Sequence, residues 1–410
     1  MTTLPAYERD PYRRRLDVVV LEIATREPER AGEPRWTWAA LDDTLLYPEG
    51  GGQPADRGVL LAADRPRVEV LDVQRRDGRV WHRLDAPVDP GPAVLELDWA
   101  RRWDHMQQHT AQHLLSAIAE DRHGWRTTSF HLGAEVCDVE LATPGLDEAQ
   151  RAALEEEVAA EIRAARPVTA RRVSRDQLEV LDERVRTRGL PEGHEGGVRL
   201  VEIAGLDLNT CGGTHLRSTA EIETLELLGT ERMRGGTRLS WVAGARVRAR
   251  LAAAERRLAE LRGIFECANA ELVELARQKL ARLEAAEKRV RDLRRSVAGA
   301  AARELAGSLQ RVVDAHFAEE DGGFLQEVGR AFSASSHAGV ALLTSGEGDG
   351  ASFLVAAGGA SGLDAAALGP PVAAALAGRG GGRGPLFQGR AGSLEGRAEA
   401  LQRLARALER

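Results

Sequence analysis

Residues 105–115 read HMQQHTAQHLL, placing His105, His109 and His113 four apart. That spacing aligns three imidazoles on one stripe of an α-helix. Leu114 and Leu115 follow directly, so the helix must be at least half-buried, and buried imidazoles need partners. No other stretch constrains the fold as strongly, because some other part of the chain must face this stripe. A second run, Cys211-Gly-Gly-Thr-His215, supplies matching chemistry. Its glycines permit a tight turn that folds thiol and imidazole together. His109 and His113 on one helix face, with Cys211 and His215 in a turn, form a tetrahedral nitrogen and sulfur donor set suited to one Zn2+. His105 lies one turn earlier on the stripe. It supports the site by a hydrogen bond, sits at its rim, or replaces one of the four.

The rest of the chain reads as an α+β protein in four segments. Residues 1–93 alternate apolar and polar in LDVVVLEIAT, RWTWAALDDTLLYP and RVEVLDVQRRDGRVWHRL, with Pro and Gly between. This predicts a small β-barrel that carries a glycine-rich motif. Residues 94–244 mix helices and strands without regular alternation, predicting a two-layer α/β region that holds the metal. Asp98 is the expected N-cap of the histidine helix, and Gly124 stands beyond its end. Residues 245–305 predict a helical, coiled-coil-like rod. Leu251, Leu258, Phe265 and Leu272 repeat by seven, and Leu283, Val290 and Val297 continue in a displaced register. Gly263 is the expected break, giving a kinked helix or a hairpin. Residues 306–410 predict a Gly-rich α/β domain.

Charge and cysteine usage narrow the classes. The net charge is −7, yet residues 246–311 hold sixteen Lys and Arg against nine Asp and Glu, and residues 371–410 hold seven Arg against three Glu. A basic rod and tail on an acidic protein suit local contact with a polyanion. No apolar run approaches the ~20 residues that cross a bilayer, and the start lacks the apolar core of a secretory signal. Cys137, Cys211 and Cys267 are too few for a disulfide framework, so a cytoplasmic location is expected.

One more motif, LDDTLLYPEGGGQPADRG at 41–58, places three glycines where backbone N–H groups can approach a ligand. It lacks the Lys-Ser/Thr of a P-loop and the spacing of a dinucleotide fingerprint. Together DTLLYPEGGGQPADRG, MQQHTAQHLLSA and VRLVEIAGLDLNTCGGTHLRSTAEI, in that order, resemble the editing domain of alanyl-tRNA synthetases and the free-standing alanyl-tRNA editing proteins of the AlaX family. This likeness runs from about residue 1 to 243. The rod and GRGGGRGPLFQGRAG resemble the C-terminal domain of alanyl-tRNA synthetases, which the long AlaX form shares. Nothing resembles the aminoacylation domain.

The resemblance implies a deacylase of mischarged tRNA(Ala), chiefly seryl-tRNA(Ala), with glycyl-tRNA(Ala) a further candidate. It implies His109, His113, Cys211 and His215 as the zinc ligands and Thr44 as a sensor of the serine hydroxyl. Gly50, Gly51, Gly52 and Gln53 would line the same pocket, and Gly50–Gly52 amides would face the oxyanion. Leu46 stands where family members often carry Phe. Arg379 and Arg383 are the expected tRNA phosphate contacts, and the rod or closing domain is expected to form a homodimer. The alternatives are an inactive tRNA-binding module and a zinc-stabilised dimeric scaffold.

Overall fold

The computed structural model describes residues 4–26, 36–62, 66–181, 185–186, 197–347 and 350–409. Two compact units emerge, Met1–Ala259 and Glu260–Arg410.

In the first unit a one-turn helix, α1 (Ala6–Arg9), precedes six strands: β1 (Arg15–Arg26), β2 (Trp36–Leu41), β3 (Gly58–Ala62), β4 (Val68–Arg76), β5 (Arg79–Leu84) and β6 (Gly91–Leu97). They close as a barrel in the order β1-β2-β5-β4-β3-β6. Alternation explains the closure. Leu16, Val18 and Val20 of β1 turn inward while Val19 and Leu21 stay exposed, and Ala93, Leu95 and Leu97 of β6 complete the same core.

The glycine-rich motif fills the connection from β2 to β3. A fully buried ion pair pins its end: Arg102 Nε donates to Asp56 Oδ2 at 3.0 Å, and the Tyr47 N–H donates to the same oxygen at 2.6 Å. Arg102 also donates to the carbonyls of Pro11 (2.7 Å) and Leu45 (2.6 Å). Arg102 belongs to the histidine helix, so this pair ties the motif to that helix. Removing one partner strands a buried charge, at ~3–5 kcal/mol.

That helix is α2 (Trp99–His123). Asp98 caps it, accepting from the Arg101 N–H at 3.1 Å, and Gly124 closes it at φ 68°. Then come β7 (Thr127–Leu132), β8 (Cys137–Leu141), α3 (Glu148–Arg163), β9 (Val168–Val173), α4 (Arg175–Val180), β10 (Val198–Ile203), β11 (Asp207–Thr210), β12 (Leu225–Met233) and β13 (Gly236–Ala243). The strands form two antiparallel sheets, β11-β10-β9 and β12-β13-β8-β7. Met106, Leu114, Leu115 and Ile118 of α2 pack with Leu154 and Val158 of α3 and with Val139, Leu239 and Trp241 of the larger sheet.

Two helices follow, α5 (Ala245–Phe265) and α6 (Leu272–Ala306). The break falls three residues later than Gly263. A glycine costs a helix interior only about 1 kcal/mol, so α5 runs through Gly263 and stops where Glu266 takes φ 53°. Asn269 then accepts from Arg262 at 2.8 Å. Leu283, Val290 and Val297 of α6 are 55%, 63% and 57% exposed, so the second heptad register faces solvent, whereas Leu272 of the first is buried.

The second unit ends in an α/β region. Strands β14 (Val312–Phe317), β15 (Val340–Ser345), β16 (Ser352–Ala357), β17 (Arg379–Arg383) and β18 (Leu386–Arg390) make a sheet ordered β14-β15-β16-β18-β17. Helix α7 (Gly322–Ser333) connects the parallel pair β14 and β15, and packs on one face with the end of α6. Helices α8 (Ala365–Ala375) and α9 (Arg397–Ala407) cover the other. Coverage on both faces is why all six residues of β15 are buried. The edge strand β17 is exposed throughout and carries Arg379 and Arg383.

Candidate metal centre

His109 and His113 leave α2 one turn apart, and the turn after β11 brings Cys211 and His215 to meet them. Their ligand atoms lie within 4.8 Å of one another, the one such cluster among the described residues. Cys211 Sγ is 3.4 Å from His109 Nε2 and 3.3 Å from His215 Nε2. A tetrahedral zinc with its usual nitrogen and sulfur bonds has edges of roughly 3.3–3.7 Å, and the two sulfur–nitrogen spacings already match it.

Each imidazole has its other nitrogen engaged. His109 Nδ1 donates to Gln53 Oε1 at 2.8 Å; that oxygen also accepts from the Thr214 N–H, and the Gln53 amide donates to Thr214 Oγ1. His113 Nδ1 donates to Asp207 Oδ2 at 3.0 Å, and Asp207 Oδ1 accepts from Arg186 Nη1 at 2.7 Å. His215 Nδ1 lies 3.2 Å from Thr110 Oγ1. This pattern fixes each ring and leaves each Nε2 lone pair for a metal. The fit therefore rests on donor chemistry as well as spacing.

Electrostatics point the same way. Burial would raise the Cys211 thiol pKa, but the imidazoles of His109 and His215 pull it well below the ordinary range, favouring the thiolate. Burial and the neighbouring His109 hold His215 well below the usual histidine value. Burial works against charge on His113, yet Asp207 and Cys211 outweigh it and raise the pKa to about 10 in the metal-free protein.

The glycines now have local reasons. A Cβ on Gly213 would run into the His109 ring and Gln53, so only glycine lets the Cys211 turn approach α2. Gly51 and Gly52 take φ 57° and 82° in a two-residue turn closed by reciprocal Gly50 and Gln53 backbone bonds of 3.1 and 3.0 Å. A Cβ on Gly52 would sit 2.5 Å from Phe130.

Beside the cluster a cavity of about 930 Å3 is lined by Gly51, Gly52, His109, His113, Cys211 and Phe130, and extends along α2 to Gln112, Ser116 and Glu120. Several expected residues sit elsewhere. The Gly50 N–H is spent on the Gln53 carbonyl, while Gly51 and Gly52 line the cavity and their N–H groups have no partner among the described residues. Gln53 is fully buried against His109 and does not line the cavity. Thr44 is buried behind the motif: its hydroxyl donates to His82 Nε2 at 2.8 Å and accepts from the Leu46 N–H at 3.0 Å. The His82 Nδ1 proton goes to the Ala39 carbonyl, and burial lowers the His82 pKa to about 4, so the ring is a neutral acceptor. His105 is buried outside the cluster, with its pKa lowered to about 4 by burial and Arg101.

Asp207 escaped sequence reasoning. Its one available signal is parity: Asp207 and Asn209 share a face of β11 that continues toward Cys211.

Residues 198–239 match the threonyl and alanyl tRNA synthetase second additional domain. Alanyl-tRNA editing protein Aarsd1 of Rattus norvegicus is 35% identical over 394 residues, spanning 94% of this chain and 93% of that protein. Alanyl-tRNA editing protein AlaX-L of Pyrococcus horikoshii is 29% identical over 299 residues, 71% of this chain and 70% of its own. AlaX-M of Methanosarcina acetivorans is 35% identical over 202 residues, 46% of this chain and 82% of its own. With nearly its whole length aligned to one such protein and the four-donor cluster in the matched region, the chain belongs to the AlaX/Aarsd1 family of alanyl-tRNA editing proteins.

Proposed function

We propose that the chain is a trans-acting deacylase that hydrolyses the ester of mischarged tRNA(Ala), chiefly seryl-tRNA(Ala) and also glycyl-tRNA(Ala), with one zinc ion on His109, His113, Cys211 and His215. The observation that carries this reading is the converged donor set opening onto a cavity beside two unspent backbone amides. When bound, zinc supplies Lewis-acid polarisation if one position is open, or an anchor for the terminal ribose if a protein ligand yields its place.

The chain's own residues do the rest. Gln53, Asp207 and Thr110 hold the three rings in register. The amides of Gly51 and Gly52, without hydrogen-bond partners among the described residues, are donors for the oxyanion that forms as water attacks the ester. Thr44 enters as the residue that fixes the start of the glycine-rich motif, through His82 and Leu46. Arg379 and Arg383, exposed on an edge strand and without ion-pair partners among the described residues, suit contact with tRNA phosphates. The uncovered α6 stripe suits a second copy of the chain.

The test is deacylation of seryl-tRNA(Ala) against alanyl-tRNA(Ala), before and after chelation and after zinc is restored. The reading expects hydrolysis of the seryl ester, sparing of the alanyl ester, loss with chelator and return with zinc. Tight tRNA binding with no hydrolysis under any condition would leave the inactive binding module instead.

A further inference from the structure

We infer that Arg126 is the phosphate seat of the metal-side cavity, holding a backbone phosphate of the acceptor end one or two nucleotides from the ester. The inference rests on the deacylase reading. Helix α2 and strand β7 run side by side as two walls of the cavity. At one end Phe130 of β7 stands near His109, ring centroids 6.2 Å apart. At the other, Thr127 donates to Ser116 of α2 at 2.8 Å, and Arg126 is the next residue. Ser116 lies three residues beyond His113 and seven beyond His109, about 5 to 10 Å along the helix axis from the two helix-borne ligands. Arg126 therefore stands roughly a nucleotide's length from the metal cluster.

The walls between these ends carry uncharged hydrogen-bonding groups: Gln112, Ser116, Thr127 and Thr128. The cavity also holds Glu120, Asp121 and Arg186, with Asp207 behind them. These four charges are mutually engaged. Arg186 pairs with Asp207 at 2.7 Å, with Glu120 at 3.3 Å and with Asp121. None of the three carboxylates pairs with Arg126, which is exposed and has no side-chain partner among the described residues. A guanidinium offers a phosphate two parallel N–H bonds, and such charge-assisted pairs are the strong ones. An aminoacyl ester at the metal end has its first anionic group about a nucleotide away, because serine, ribose and adenine carry none.

The experiment compares two substrates with the full-length, metal-loaded protein: seryl-tRNA(Ala), and 3′-O-seryladenosine, which has the same ester and no phosphate. Arg126→Ala should lower the kcat/KM preference for the tRNA over the adenosine ester by about 10- to 100-fold. Arg126→Lys should restore part of it. Binding of the trinucleotide CpCpA to the protein should weaken in Arg126→Ala, and its log–log salt slope should flatten by about 0.7; adenosine serves as the control. An unchanged preference together with unchanged CpCpA binding would overturn the assignment. Equal loss on both substrates would also overturn it, by making Arg126 a structural residue. If the wild type hydrolyses neither ester, the deacylase reading fails, and CpCpA binding still tests the phosphate seat by itself.

Discussion

Helices α2 and α6 break opposite rules. The first buries polar residues: His105, Gln107, Gln108, His109, Thr110, Gln112, His113 and Ser116 all lie inside. The second exposes apolar ones: Val273, Leu280, Leu283, Val290 and Val297 all face outward. Burying an unpaired polar group costs free energy, and an exposed apolar stripe of this length marks an interaction surface. In α2 most of that cost is met within the chain: Gln107 and Gln108 donate to the carbonyls of Glu221 and Ala243, and the rings of His109 and His113 reach Gln53 and Asp207, while His105 Nδ1 has no partner among the described residues. What remains on that helix is a set of Nε2 lone pairs aimed at Cys211. In α6 these side chains stay exposed among the described residues. One helix therefore asks for an ion and the other for a second surface.

The largest expected effect comes from the ligands of α2 and its partner turn. Cys211→Ala or His109→Ala should lower metal affinity and deacylation together, by about 100-fold or more, since each removes one of the donors that hold the ion. Metal analysis beside the kinetics checks this. Full metal content in the Cys211→Ala, His109→Ala double variant would separate the cluster from the metal.

Asp207→Asn should act next, lowering metal affinity by about 10- to 100-fold while the four ligands stay in place. Chelator competition measures it. The pH dependence sharpens the point. Burial opposes a proton on His113, but Asp207 and Cys211 keep it bound up to about pH 10 in the metal-free protein. Metal binding must displace that proton, so apparent affinity should fall by about tenfold for each pH unit below that value. With Asn at 207 the proton is held less tightly, and the slope through neutral pH should flatten.

In α6, Val290→Asp should weaken self-association by about tenfold or more, from the lost apolar burial. Its effect on unfolding of the single chain should stay within about 0.5 kcal/mol, because the residue is exposed there. Sedimentation across a concentration series reads the first and thermal unfolding the second. A monomer at every concentration for the wild type would leave the stripe to some other surface.

How legible each region was follows from the range of its geometry. The helix with its Asp98 cap and Gly124 stop, the His109 and His113 pair, and the Cys211 and His215 pair are all set within a few residues, so spacing reveals them. Gln53 and Asp207 were harder because their roles depend on which distant ring each meets. Gln53 was expected to line the pocket, and its side chain turns instead to His109, 56 residues away. Thr44 was expected to meet the substrate's hydroxyl, and its own hydroxyl meets His82, 38 residues away. The helix break moved from Gly263 to Glu266 because a backbone conformation, not a residue type, sets it.

Thr44 gives the smallest expected effect. Thr44→Val strands the buried Leu46 N–H, at ~1–3 kcal/mol of stability. The seryl-to-alanyl ratio should move less than the unfolding midpoint does. A collapsed ratio with unchanged stability would return Thr44 to the pocket.

The most direct test of the central claim is X-ray absorption at the zinc edge on the purified full-length protein. The account predicts one zinc per chain with mixed nitrogen and sulfur ligation: about three nitrogens near 2.0–2.1 Å and one sulfur near 2.3 Å, or one nitrogen fewer with an oxygen in its place. A zinc shell with no sulfur, or a protein that binds no zinc when it is supplied, would contradict it.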